Sequence, residues 1–174
     1  DVPITIELSD AAKEEGIRVF YQSYTTADVS ITGNNLILNK VSPSDLSVVA
    51  KLSPNSTKLT GNTMASETIQ LTAQKVGNTL ADYDVSDVSP TELNVAYDKY
   101  KETNFKIEPN IQATGASNYY VSTPTYSAEN VVVSGPESSV NKVSRVSIDY
   151  TIADPISSTA NFTCALTVYD VNNK

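Results

Sequence analysis

"ENVVVSGP", residues 129–136, is a run of β-branched residues that a glycine and a proline bring to an end. "ADVSITG", residues 27–33, has the same design, with apolar residues at every second position and a final glycine. This alternation is typical of a strand with one buried face. Gly33 and Gly135 lie 102 positions apart (135 minus 33). Two matching strands at that distance indicate an internal repeat.

The repeat extends beyond these two strands. Lys40-Val41-Ser42 recurs as Lys142-Val143-Ser144, and the alternating segment that starts at Val2 recurs from Phe105. Later segments match at shorter offsets: residues 46–52 face residues 146–152, and "TIQLTAQ" from Thr68 faces "TCALTVY" from Thr163. The sequence therefore predicts an all-β protein of two tandem small modules, at residues 1–101 and 102–174.

The stretch between the two modules is not a flexible linker. "TELNVAYDKYKETNFKIEPNI", residues 91–111, passes from one strand pattern to the next, with no glycine and no proline before Pro109. Flexible tethers are rich in glycine and serine. We therefore expect the modules to be joined end to end as an elongated, stiff rod.

The second module lacks a counterpart of one segment of the first. After its "TCALTVY" segment the chain contains no match for residues 93–97, so we expect a module without its last strand. An unpaired strand edge is a template for another chain. The sequence thus predicts either a less stable second module or edge-strand pairing between copies. The chain also begins directly in a strand pattern, so we expect a fragment of a longer protein.

Charge and composition exclude several functions. The net charge is −8 with only 12 Lys and Arg, whereas nucleic-acid binding needs clustered basic residues. There is no histidine, which excludes Ser-His-Asp and Cys-His nucleophiles and most zinc sites. No phosphate-binding loop is found among the six glycines. Glu14 and Glu15 lie in "SDAAKEEG", which predicts a short helical turn with a solvated acidic face. We expect no enzyme and no cofactor.

Asp82, Asp84 and Asp87 form the densest acidic cluster. An EF-hand loop would need a glycine where Asp87 stands and a glutamate where Leu93 stands, so that motif is absent. A looser calcium site and a solvated acidic loop both remain open, and no metal ligand is assigned.

Two other residue groups have a structural and a functional interpretation. Tyr119 and Tyr120 could stack on a sugar, but neighbouring strand residues point to opposite faces, so we expect at most one to be exposed. Cys164, the single cysteine, alternates with Phe162 and Leu166, which predicts a buried small apolar residue on a strand.

One segment resembles a known family. "SAENVVVSGPESSVNKVSRVSIDY", residues 127–150, is similar to the core signature of YbbR-like domains, in which V-x-V-x-G-P leads into V-x-x-V-x-x-x-V/I-D. The positions that match are Val131, Val133, Gly135, Pro136, Val140, Val143, Val146, Ile148 and Asp149. In the first module Gly33 is kept, whereas Asn34 replaces the proline. "VSPTELNVAYDKYKE", residues 88–102, is similar to the strand that closes one such module and leads to the next.

This resemblance implies a role. YbbR-like modules occur in tandem, usually behind a membrane anchor and on the outer side of the membrane, and CdaR-type members bind and regulate a membrane-bound diadenylate cyclase. The resemblance therefore implies a non-catalytic, extracytoplasmic protein partner of such a cyclase in cyclic di-AMP signalling, with no cofactor. The turns at Gly33, Asn34, Asn35 and at Gly135, Pro136, Glu137 are the candidate interaction sites, since loops on a rigid scaffold commonly carry recognition. The alternative is a structural or adhesive β-repeat spacer of a bacterial surface protein.

Overall fold

The computed structural model describes residues 1–77 and 82–174. The fold is mostly β, with 52% strand and 11% helix, which confirms the predicted class. The strands are β1 Val2–Leu8, β2 Ile17–Gln22, β3 Thr26–Gly33, β4 Leu46–Leu52, β5 Ala65–Lys75, β6 Tyr83–Ser89, β7 Glu92–Gln112, β8 Asn130–Pro136, β9 Val143–Thr151 and β10 Thr167–Asp170. The helices are single turns: α1 Asp10–Glu14, α2 Asn35–Leu38 and α3 Glu137–Val140. No helix in the described ranges is long and apolar enough to cross a membrane.

The chain divides into two compact units, Asp1–Tyr100 and Lys101–Lys174. The division falls inside β7, a single strand of 21 residues. The prediction that this stretch runs from strand to strand without a loop is therefore confirmed. The predicted module boundary, after residue 101, lies in the same strand.

In the first unit, seven strands follow the order β2-β7-β5-β4-β1-β3-β6. The central pair, β1 and β4, is parallel, with Ile4 opposite Val48. Apolar residues at alternate positions point to one face of a strand, and this face forms the core. The most deeply buried apolar side chains, each at most 1% exposed, are Val48, Ala50, Leu52, Leu93, Val95 and Tyr97.

In the second unit, β8 and β9 pair with the later part of β7, and β10 pairs with β9. The β7–β9 pair is parallel, with Ile107 opposite Val146, whereas β9 and β10 are antiparallel. Buried apolar side chains among the described residues of this unit are Ile107, Val140 and Val146. The second unit therefore has a much smaller core than the first.

The parallel strand pair is built alike in the two units. The Ile4 N–H donates to the carbonyl of Thr25 at 2.9 Å, and the Ile107 N–H donates to the carbonyl of Glu129 at 2.8 Å. When Ile4 and Ile107 are aligned, their parallel partners Val48 and Val146 also correspond. The offset is then 98 (146 minus 48), so the predicted offset of 100 in this segment is wrong by two residues.

The difference has a structural cause. The first unit inserts a 3-10 turn at Pro43–Asp45 between α2 and β4, closed by the Ser42 N–H donating to the Asp45 carboxylate at 2.8 Å. In the second unit no such turn is inserted: α3 ends at Val140 and β9 starts at Val143. A slip of two residues leaves the same side chains on the buried face, so alternation alone does not reveal it.

The strand predicted around Cys164 is only partly formed. β10 covers Thr167–Asp170, and the residues before it belong to no strand. Phe162 and Leu166 are 46% and 42% exposed, and Cys164 is half-buried. The prediction of a buried Cys164 is therefore wrong. Within the described chain β10 is the last strand of the pairing order, so it lies at an edge.

Candidate interaction surface

The first candidate turn is a tight corner between a strand and a helix. Gly33 ends β3, Asn34 caps α2, and Asn35 is the first residue of that helix. The side-chain oxygen of Asn34 accepts the Leu36 N–H at 2.9 Å, and its carbonyl accepts the Leu38 N–H at 2.9 Å. Such caps satisfy backbone groups that a helix end leaves unpaired. The corner is therefore held in one conformation.

This corner exposes both polar and apolar groups. Gly33, Asn34 and Asn35 are exposed, and Leu36 is 76% exposed. A rigid exposed leucine beside two amide side chains suits contact with a protein. Sequence reasoning missed Leu36. The signal is the sequence "NLIL", because three apolar residues within one helical turn cannot all face the core.

The second candidate turn has the same plan but is less accessible. Gly135 lies near the end of β8 with φ at +155°, a conformation that side-chain-bearing residues rarely adopt. Pro136 stands at the N-cap of α3 and Glu137 is its first residue, whose carbonyl accepts the Asn141 N–H at 2.9 Å. Gly135, Pro136 and Glu137 are all half-buried. The second turn thus offers less surface than the first.

Asp82, Asp84 and Asp87 do not form a cluster of metal ligands. Asp84 and Asp87 lie in β6 and Asp82 just before it, so the acidic stretch is mostly strand rather than loop. The Asp84 carboxylate is 3.9 Å from the Lys75 ammonium, and the Asp87 carboxylate accepts the Val88 N–H at 2.9 Å. In residues 1–77 and 82–174 no three His, Cys, Asp or Glu side chains come together as metal ligands.

The paired tyrosines differ from the prediction. Tyr119 and Tyr120 are 58% and 94% exposed, so the expectation that one of them packs is wrong. They lie in a loop after Gly115, where strand alternation does not apply. The loop folds back closely: the Tyr119 N–H donates to the Ala116 carbonyl at 2.9 Å.

An exposed polar network ties together three strands of the second unit. The Asp149 carboxylate of β9 accepts hydrogen bonds from the Asn110 amide of β7 and the Tyr169 hydroxyl of β10, each at 2.8 Å. These bonds, that of Asn110 first, hold the pKa of Asp149 below its usual value. The hydrogen bond to Asp149 in turn raises the pKa of Tyr169. Arg145 lies 4.0 Å from the centre of the Tyr169 ring. The network stabilises the sheet, since each partner comes from a different strand.

Comparison with known proteins relates the second unit to a known family. Residues 105–173 match the family model described as YbbR-like protein. The second unit is similar to YbbR-like proteins. The chain is also similar in fold to the crystal structure of a YbbR-like protein from Streptococcus pneumoniae TIGR4, with a TM-score of 0.50 and 16% identity over 99% of this chain and 82% of that chain. No curated protein matches the chain.

Residues of the family signature have structural roles in the second unit. The signature glycine, Gly135, occupies the strained position at the end of β8, and Asp149 anchors the cross-strand network. Val146 is fully buried between neighbouring strands. The resemblance noted in the sequence therefore rests on residues that shape and stabilise the second unit.

Proposed function

We propose that this chain is a non-catalytic interaction module that acts on the outer side of a bacterial membrane and regulates a membrane-bound diadenylate cyclase. The observation that carries the proposal is the match of residues 105–173 to the YbbR-like family, whose CdaR-type members bind such a cyclase. The absence of histidine and of a phosphate-binding loop is consistent with a protein that acts on an enzyme by binding it.

The contact surface that we propose is the exposed corner formed by residues 33–36. Its backbone is fixed by the Asn34 cap, so little conformational entropy is lost on binding. Leu36 supplies apolar area and the two asparagines supply hydrogen-bonding groups. The half-buried turn at Gly135, Pro136 and Glu137 is the weaker of the two candidates.

The test uses this protein, co-expressed with a membrane-bound diadenylate cyclase from the same bacterium in a host that makes no cyclic di-AMP of its own. We expect the protein to change the cyclic di-AMP level, measured by mass spectrometry, and to recover the cyclase on co-purification. Leu36→Asp should weaken both effects. Val171→Asp is the matched control, since Val171 is 74% exposed and lies in the other unit.

The outcomes separate the two functional hypotheses. Unchanged nucleotide levels together with no recovered cyclase would overturn the regulatory proposal and favour a structural or adhesive spacer. If Leu36→Asp recovers as much cyclase as the unmodified protein, the cyclase remains the partner, but residues 33–36 are not the contact surface.

A further inference from the structure

Residues 65–70 and 160–165 occupy equivalent places in the two units but differ in structure. In the first unit Val48 of β4 lies opposite Ala73 of β5, and in the second Val146 of β9 lies opposite Val168 of β10. Since Val48 and Val146 are equivalent, Ala73 corresponds to Val168, an offset of 95 (168 minus 73). The same offset relates residues 65–70 to residues 160–165.

The two segments differ in their backbone pairing. Residues 65–70 form an antiparallel ladder with β7, from Ala65 opposite Tyr97 to Gln70 opposite Glu92. Residues 160–165 belong to no strand, and in the described chain their backbone makes no hydrogen bond. Unpaired backbone donors and acceptors on an extended segment are a template for an added strand.

The side chains of the two segments show the same contrast. In the first unit Ala65, Ile69 and Leu71 are at most 9% exposed. The part of β7 that pairs with this segment contributes Leu93, Val95 and Tyr97, which are at most 1% exposed. In the second unit Phe162 and Leu166 are 46% and 42% exposed, and Cys164 at the position of Ile69 is half-buried. The apolar alternation is present, but its covering strand is absent from the described unit.

We infer that residues 160–165 are a docking edge for an extended segment that adds as an antiparallel strand and carries large apolar side chains at three alternate positions. The template for this occupant is the chain's own segment at residues 92–97, with Leu93, Val95 and Tyr97 at those positions. Main-chain hydrogen bonds supply affinity in such strand addition, and alternate side chains supply specificity. The inference goes beyond the regulatory proposal because it does not depend on the identity of any cyclase.

The test measures amide hydrogen exchange of the full chain with a synthetic peptide, "TELNVAYD", which copies residues 91–98. We expect the peptide to slow exchange at residues 160–165 by about tenfold when nine-tenths of the molecules are occupied. Residues 65–70 should stay unchanged, since they are already paired. A control peptide with serine in place of its leucine, valine and tyrosine should have no effect.

Two proline variants make the test specific. Cys164→Pro removes an N–H that faces the docking edge, because Cys164 corresponds to Ile69 and the Leu71 N–H, two residues further along β5, donates to the Thr91 carbonyl on the β7 side. The variant should abolish the protection by the peptide. It should change the melting temperature little, because the backbone of Cys164 makes no hydrogen bond in the described chain and its side chain is only half-buried. Ser158→Pro, in the same irregular stretch but outside the edge, should retain full protection.

Three outcomes would overturn the inference. One is exchange at residues 160–165 that saturating peptide does not slow, and another is protection that survives Cys164→Pro. The third is protection that grows with chain concentration in the absence of peptide, which would assign the edge to a second copy of this chain.

Discussion

Gly33 lies directly opposite Tyr83 in the β3–β6 ladder, and the space beside Gly33 is too small for a methyl group. A Cβ at this position would lie 2.8 Å from the Asp82 carbonyl oxygen and 3.0 Å from the Cβ of Tyr83. Tyr83 is 3% exposed, and the Lys75 ammonium lies 4.5 Å from its ring centre. The neighbours of Gly33 are thus held in place, and the close approach of two strands requires glycine here.

Gly33→Ala should therefore destabilise the first unit. Overpacking of a close contact costs about 1–3 kcal/mol, and the atoms that the methyl group meets include backbone. Chemical denaturation with urea measures the loss. Thr32→Ala is the matched control, since Thr32 is an exposed neighbour on the same strand. Equal stability of the two variants would contradict the close packing at Gly33.

Gly135→Ala should destabilise the second unit for a different reason. No heavy atom beyond its chain neighbours lies within 4 Å of a Cβ built at Gly135, so the cost comes from its φ of +155°. Holding a side-chain-bearing residue in such a sparsely populated region costs about 1–3 kcal/mol. Ser134→Ala, at an exposed neighbouring position of β8, should change the free energy of unfolding little. A neutral Gly135→Ala would show that the end of β8 has a different backbone conformation.

The network at Asp149 predicts an acid-sensitive second unit. The pKa of this carboxyl is held below its usual value of 3.8, chiefly by the Asn110 hydrogen bond and then by that of Tyr169. A lowered folded-state pKa gives stability that is complete above the unfolded-state value and is lost as the pH falls through the folded-state value. We therefore expect the urea midpoint to fall as the pH drops below 3.8.

Asp149→Asn tests this expectation. It should lower stability at neutral pH and flatten the pH dependence below the usual aspartate pKa. Asp154→Asn removes an exposed carboxylate from the same unit and serves as the charge control. An acid response that both variants retain in full would assign the effect to other carboxylates, such as Asp45 or Asp170, whose pKa values are also lowered.

Strands with clean alternation could be predicted from the sequence, whereas those with bulges could not. β1, β3 and β4 alternate regularly and lie where expected. β2 and β6 were missed. The ladder between β2 and β7 shifts register between Val19 and Tyr21, and that between β3 and β6 shifts between Ser30 and Ile31. A bulge inserts a residue and breaks the period of two on which the prediction depends.

The candidate surface was predictable only in part. Glycine marks both turns, because the close approach of two strands requires it at Gly33 and a positive φ favours it at Gly135. Leu36 lies in a short helix, and Tyr119 and Tyr120 lie in a loop. Their exposure could not be predicted, because strand alternation does not apply to these elements. Residues 160–165 have apolar alternation like that of β5, but they form no strand because no other strand of the described chain pairs with them. The local sequence pattern does not determine whether a segment forms a strand when that depends on pairing with a distant segment.

The same substitution at two leucines of the first unit should separate its core from its surface. Leu93 is 0% exposed and lies opposite Ile69, whereas Leu36 is 76% exposed on α2. Leu93→Ala should lower the free energy of unfolding by about 2–5 kcal/mol, since it leaves a cavity in the core. Leu36→Ala should change it by no more than about 0.5 kcal/mol, because surface substitutions away from special features usually have small effects. Urea denaturation of the two variants measures both values. A comparable loss at Leu36 would mean that this side chain is covered within the folded chain, and the corner at residues 33–36 would then be ruled out as a free contact surface.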